Sequence, residues 1–180
     1  MPIVPNSRPK ATHADVLKHV LAAGLDLGDE KCVLVGVRGY YRDSMGRVGR
    51  NDQAMYDDAM FLITPTGVVA WNANTDPQKA GQKKAMLAPG LYSFYKGRHK
   101  NKYDALRPYP EGVTLPCTRD GKTSMCSHTN IHKGGFNDTF SEGCQTIYPT
   151  QWPGFINAVY DQMKRNGKKT IRYALVENSE

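Results

Sequence analysis

The strongest constraint on the fold is a pair of apolar runs joined by a short turn. Ala59–Ile63 and Val68–Asn72 flank Thr64-Pro65-Thr66-Gly67, so the chain is predicted to run up one strand and return along its neighbour as a β-hairpin. A third strand is predicted over Lys31–Tyr41, where Val33, Leu34, Val35 and Val37 lie between glycines. Three such segments require a sheet.

More strands follow. After the turn Ala88-Pro89-Gly90, Leu91, Ser93 and Tyr95 alternate with Tyr92, Phe94 and Lys96 on the two faces of a strand. Val113–Thr118 reads as another, ending at Asp120-Gly121, and Lys169–Val176 as a last one. Helical spacing occurs near each end of the chain. Thr12 is an N-cap with Asp15 in the first turn, and Val16, Leu17, Val20 and Leu21 form one face up to about Ala23, where Gly24 stops the helix. Gln151–Arg165 repeats Trp152, Phe155, Ile156, Val159, Tyr160 and Met163, admits Pro153 in its first turn and stops at Asn166-Gly167. Residues 1–11 carry three prolines and read as an irregular arm, while 42–58 and Asp76–Lys84 read as loops. No repeat or linker divides residues 1–180. The order of elements predicts one α+β domain, mostly antiparallel and sandwich-like.

The 180 residues are enough for one buried core, and no apolar run approaches the roughly 18 to 20 residues of a membrane span, so no membrane insertion is expected. A net charge of +7 predicts attraction to an anionic polymer: nucleic acid, a membrane surface or a bacterial wall. The aromatic signature of an RNA-binding sheet is missing, so nucleic acid is not the expected partner. The N-terminal residues lack a secretory pattern, which predicts synthesis in the cytoplasm without a signal peptide. Four cysteines are too few for a disulfide framework. Cys32 reads as a buried strand thiol, and a Cys117–Cys126 bridge is the less favoured reading of that pair.

Chemistry concentrates in Met125–Pro149, which holds two of the four cysteines and two of the five histidines among glycines and small polar residues. A catalytic cysteine needs a base, exposure and donors for an oxyanion. Ser141-Glu142-Gly143-Cys144 offers a small-residue turn carrying a thiol, and His132, followed by Gly134-Gly135, can fold back toward it. The assignment is Cys144 as nucleophile, His132 as general base and acid, the N–H groups of Gly143 and Cys144 as oxyanion donors, and Ser141 as a brace. His128 and Asn130 are candidates for orienting His132 or binding substrate. Glu142 beside the thiol would raise its pKa unless it faces solvent or pairs with a base such as Arg38, Arg42 or His99. Arg38, Tyr40 and Tyr41, at a strand end entering a long loop, His99 within the basic run Arg98–Lys102, and Gln145 complete the candidate substrate-binding set.

Two other readings compete. Cys126, His128, His132 and Cys144 are chemically suited to zinc, but residues four apart on an extended segment stand about 13 Å apart, too far to share an ion. The preferred reading therefore has no metal and no cofactor. A non-enzymatic basic wall-binding module is the third reading.

Ile131-His132-Lys133-Gly134 followed by Ser141-Glu142-Gly143-Cys144 resembles the signature of L,D-transpeptidase catalytic domains, in which I-H-G precedes S-H-G-C. It is more similar still to small phage-associated members with I-H-K/R-G-G, S-x-G-C-Q-T-I and a following tryptophan-containing helix. Thr64-Pro65-Thr66-Gly67 and Ala88-Pro89-Gly90-Leu91-Tyr92 resemble elements of the same β-rich fold. The His132 to Cys144 interval is shorter than usual, Glu142 replaces the motif histidine, and Thr146 replaces a common basic residue. The resemblance implies His132 as base and Cys144 as nucleophile, with peptidoglycan stem peptides as substrate. The acyl group formed on cysteine passes to an amine in a transpeptidase, or to water in a carboxypeptidase or endopeptidase. Together with the charge and the N-terminus, it implies a phage or effector lysin acting on the wall after release or non-classical export, with a zinc peptidase or amidase as the alternative.

Overall fold

A computed structural model of the chain describes residues 3–77 and 84–179. The elements are α1 (His13–Ala22), β1 (Val33–Arg38), β2 (Asp58–Thr64), β3 (Gly67–Asn74), β4 (Met86–Leu87), β5 (Gly90–His99) and β6 (Tyr103–Pro108). They continue with β7 (Leu115–Arg119), β8 (Lys122–Cys126), β9 (Ile131–Lys133), β10 (Gln145–Ile147), α2 (Trp152–Arg165) and β11 (Thr170–Glu177). Among the described residues no helix is long and apolar enough to cross a membrane.

The predicted hairpin is β2 and β3, in register from Asp58 opposite Ala73 to Thr64 opposite Gly67. Eight strands close into a barrel in the order β1-β11-β5-β6-β9-β10-β3-β2, and β4, β7 and β8 form a small separate sheet. Six of the eight contacts around the barrel are antiparallel; β1 with β11 and β9 with β10 are parallel. The mostly antiparallel α+β class agrees with the sequence, and the sandwich-like arrangement is refined to strands that close on themselves.

Both faces of β1 are covered, which is why it reads as an unbroken apolar run. Val33, Val35 and Val37 pack with Val16 and Val20 of α1, whereas Leu34 joins a cluster on the inner face of the barrel with Trp71, Phe94, Tyr173 and the α2 side chains Phe155 and Val159. Helix α1 begins with a reciprocal cap, Thr12 Oγ1 accepting the Asp15 N–H at 3.2 Å and the Asp15 carboxylate accepting the Thr12 N–H at 2.9 Å. Helix α2 has no such cap. Instead Gln151 locks its start to β3, donating to Asn72 Oδ1 at 2.7 Å and accepting the Asn72 N–H at 2.9 Å.

Two cysteine readings change. Cys117 and Cys126 form a disulfide joining β7 to β8. Cys32 is not a buried strand thiol; it is half-buried just before β1, donating to Gln162 Oε1 at 3.4 Å and accepting from Asn166 Nδ2 at 3.2 Å. The loop predicted over Asp76–Lys84 lies mostly outside the described residues.

Where β1, β2 and β3 meet, the carboxyls of Asp58 and Asp76 are buried around Arg38, and that of Asp57 is buried close to them. Asp57 Oδ2 accepts the Asp52 N–H at 2.7 Å, and Oδ1 has no hydrogen-bond partner among the described residues. Burial, reinforced by Asp76 and Asp52, pushes this carboxyl up to about 7. A carboxyl whose pKa is raised by folding stabilises the folded state fully below its unfolded value, and that contribution is lost as pH rises through the folded value. Melting temperature is therefore expected to fall between about pH 4 and about pH 7, with Asp57→Asn removing part of the fall. A variant whose melting profile keeps the full wild-type slope would contradict this.

Candidate active site

The short strands β9 and β10 run parallel, with His132 opposite Thr146, and the Gln145 N–H extends the ladder to the Asn130 carbonyl at 2.9 Å. Side chains alternate along a strand, so each residue beside an inward-facing one faces out. Ile131 and Ile147 belong to the inner cluster, and Gln145 accepts from the buried Tyr173 hydroxyl at 3.0 Å. His132 in β9 and Cys144 just before β10 consequently face outward, and both line one cleft of about 950 Å³.

The His132 ring is buried, with Nδ1 2.8 Å from the carbonyl of Lys133. A carbonyl only accepts, so Nδ1 carries the proton and Nε2 keeps its lone pair. The Tyr103 hydroxyl lies 3.3 Å from Nδ1 and 3.3 Å from the same carbonyl. The His99 ring, 5.6 Å from the Tyr103 ring, stacks on His132 with centroids 4.0 Å apart. Burial, then His99 and Lys100, lower the His132 pKa to about 4, against the opposing pull of the Lys133 carbonyl. The imidazole is thus neutral and basic in form at neutral pH.

Cys144 is half-buried, and its thiol donates to the carbonyl of His128 at 3.4 Å. Burial raises it to about 11; Glu142 adds to the shift, while the Asn130 N–H and Lys100 work against it. No hydrogen bond joins Cys144 to His132 among the described residues. The resting site is a neutral thiol near a neutral imidazole, an arrangement suited to deprotonation during attack rather than to a preformed thiolate.

The turn before Cys144 is held from within and from outside. Ser141 Oγ donates to the Cys144 carbonyl at 2.7 Å and accepts the Gly143 N–H at 3.1 Å. Gly143 has φ +133°, and any side chain there would collide with the Ala85 carbonyl. Because Ser141 occupies the Gly143 N–H, that group is not an oxyanion donor as predicted. The Cys144 N–H has no acceptor among the described residues and is the donor that remains.

The other predicted residues divide. His99 lines the cleft against His132, and Asn130, also in its wall, has Nδ2 3.4 Å from His99 Nδ1, so it bears on His99 instead of on His132. His128 adopts φ +58° with an exposed ring and serves through its carbonyl, which accepts from the Asn130 N–H as well as the thiol. Glu142 is exposed at the rim.

Arg38, Tyr40 and Tyr41 do not line this cleft. The Arg38 guanidinium is buried, bonded to Thr75 and the Leu87 carbonyl and ion-paired with Asp76 and Glu177 at 3.1 Å each. The Tyr40 and Tyr41 hydroxyls donate to the Lys10 and Ser7 carbonyls, which fastens the N-terminal arm. Gln145 faces the barrel interior, where its amide also donates to the Gly143 carbonyl at 3.3 Å. Cys126 cannot be a zinc thiolate while bonded to Cys117. Two contributors escaped the sequence reading. Tyr103 sits in the basic aromatic run, and its place beside His132 depends on strand β6; the Lys133 carbonyl, as backbone, has no sequence signal.

No protein family, curated protein or solved structure matches the chain.

Alkylation of Cys144 should climb about tenfold per pH unit well past the ordinary thiol range, because only the thiolate reacts and it forms near pH 11. Timed iodoacetamide labelling with peptide mapping, following Cys144 and Cys32 separately, measures this. A Cys144 rate that levels off below about pH 8 would mean a thiolate stabilised at rest.

Proposed function

We propose that this protein is a cysteine-dependent enzyme of the L,D-transpeptidase type, acting on the stem peptides of peptidoglycan. The observation that carries the reading is the pair His132, in β9, and Cys144, immediately before the parallel β10, lining one cleft, with Nδ1 of the histidine fixed by a carbonyl so that Nε2 is the base. The likeness of the two short motifs around this pair to the L,D-transpeptidase signature supplies the substrate class.

In the proposed reaction the thiol leaves the His128 carbonyl and gives its proton to His132 Nε2 as Sγ attacks the carbonyl carbon of the stem's third residue. The oxyanion is met by the Cys144 N–H. Collapse breaks the C–N bond; the departing D-amino acid takes the proton from His132, and a thioester remains on Cys144. An acceptor amine or water then attacks the thioester, loses a proton to His132, and releases Sγ, which recovers that proton. The depressed pKa of His132 makes it a ready acid once protonated, which suits the expulsion of an amine.

Mass spectrometry of peptidoglycan fragments incubated with the protein tests the reading: a lost terminal D-amino acid, a new crosslink or a cut crosslink identifies the acceptor. Cys144→Ala should abolish all three, and His132→Gln should lower turnover by roughly three orders of magnitude or more with little change in melting. Chelators should leave activity intact. Activity that survives Cys144→Ala, or that is lost to a chelator and restored by zinc, would sink the proposal.

A further inference from the structure

The cleft around Cys144 is strongly basic. Its lining includes Arg98, Lys100, Lys102, Arg107, Arg119 and Lys133, and among the described residues the one acid facing them is Glu142. Arg98 and Arg107 have acidic neighbours of their own, Asp104 at 3.8 Å and Glu111 at 3.4 Å. Lys100, Lys102 and Lys133 have no ion pair among the described residues. Like charges gathered around a concave surface repel one another, and a ligand that carries the opposite charge relieves that repulsion.

Two of these cations lie close to groups that contact His132. Lys133 follows the base directly in β9, and its ammonium lies 5.2 Å from the centre of the Tyr103 ring, whose hydroxyl touches His132. Lys100 comes from the hairpin that also carries Tyr103. It forms the tip of the β5–β6 hairpin with Asn101, both at positive φ (48° and 55°), and the Lys102 N–H closes the turn on the His99 carbonyl at 2.9 Å. Its charge is felt by His99, His132 and Cys144 alike. Glycine, asparagine and aspartate are the residues that suit such a turn, so a lysine at its first central position is not explained by backbone preference.

We propose that this cleft selects peptide stems whose carboxyl groups are free over stems in which they are amidated, and that Lys100 and Lys133 make the selection. The inference rests on the reading of the site as a stem-peptide enzyme and deepens it by naming the chemistry that the substrate must carry. An amidated stem has the same length and shape and offers the lysines no charge. The two differ in charge and in one acceptor oxygen replaced by an N–H2 donor, and the charge difference weakens as salt screens it.

The test is calorimetric binding of two synthetic tetrapeptide stems, one with free carboxylates and one with carboxamides, to the Cys144→Ala protein. The free acid is expected to bind roughly tenfold more tightly at low salt, the size expected of two partly exposed ion pairs, with the ratio shrinking at high salt. Lys100→Asn combined with Lys133→Gln should bring the ratio near one while leaving affinity for the amidated stem unchanged; asparagine is chosen because it tolerates the left-handed backbone. Equal affinities in the parent protein, a ratio that survives the double substitution, or no binding of either stem overturns the proposal. Intact-mass detection of acylated Cys144 in the wild-type protein separates the two ideas: selective binding without acylation supports the selection and rejects the acyl-transfer chemistry.

Discussion

The pairing of β9 with β10 is the contact on which both the barrel and the site depend. Each strand is three residues long, and β9 meets β6 through the single register pair Leu106 and Ile131. The ladder is lengthened at both ends, by the Gln145 N–H to the Asn130 carbonyl at 2.9 Å and by the Gly134 N–H to the Ile147 carbonyl at 3.0 Å. Between these strands the chain must turn back within residues 134–144, and the glycines at its start allow it. A side chain on Gly134 would overlap the Tyr56 hydroxyl, which donates to the Gly135 carbonyl at 2.7 Å, and one on Gly135 would strike the Asp138 carbonyl and the Phe140 ring. A buried tyrosine from a distant loop thus pins the connection that carries Cys144 back beside the histidine strand.

The electrostatics of the site follow from where that pairing puts the two groups. His132 is buried under His99 and held neutral, and Cys144 is raised in pKa because burial outweighs the Lys100 charge. A stable imidazolium–thiolate pair would need stronger stabilisation of both charges than this environment supplies. In the acyl transfer proposed above, proton transfer would then accompany bond formation. The cleft is thus lined by cations while the pair within it is held neutral.

How much of this the sequence contains depends on how local each feature is. β1, the β2–β3 hairpin, β5, β11 and both helices were legible because each carries a long apolar or periodic run of its own. β8 is mostly exposed and polar, and β10 is only three residues long, so neither has a pattern to read; its neighbours define it. The same division holds in the site. His132 and Cys144 stand out by residue type beside glycines, whereas the Lys133 carbonyl and the stacking of His99 appear only when strands meet. Gln145 is an instructive error: as the residue next to Cys144 in an extended segment it had to face the opposite way, and alternation alone would have put it inside. Arg38 misled differently. A charged residue ending an apolar strand resembles a binding group, and only the buried carboxyls of Asp58 and Asp76, contributed by other segments, show that its partners are internal.

The small β4–β7–β8 sheet acquires a role when it is traced to Cys144. Its disulfide packs with Ala85 in a cluster of three, Cys117, Cys126 and Ala85. Ala85 in turn donates its N–H to the Glu142 carbonyl at 3.3 Å, and its own carbonyl fills the space that only a glycine at position 143 leaves open. Past Cys126 the chain turns through His128, whose left-handed backbone aims its carbonyl at the thiol. The turn bearing Cys144 is therefore gripped from two sides by the ends of one cross-linked sheet, outside the barrel. Polar side chains such as those of Lys122, Thr123 and Ser124 would give β8 little reason to fold against a core, but the disulfide ties it to β7 without one, because a covalent link restricts the unfolded chain. The barrel sets His132 in β9 and Cys144 at the entry to the parallel β10; the small sheet holds the backbone around the thiol.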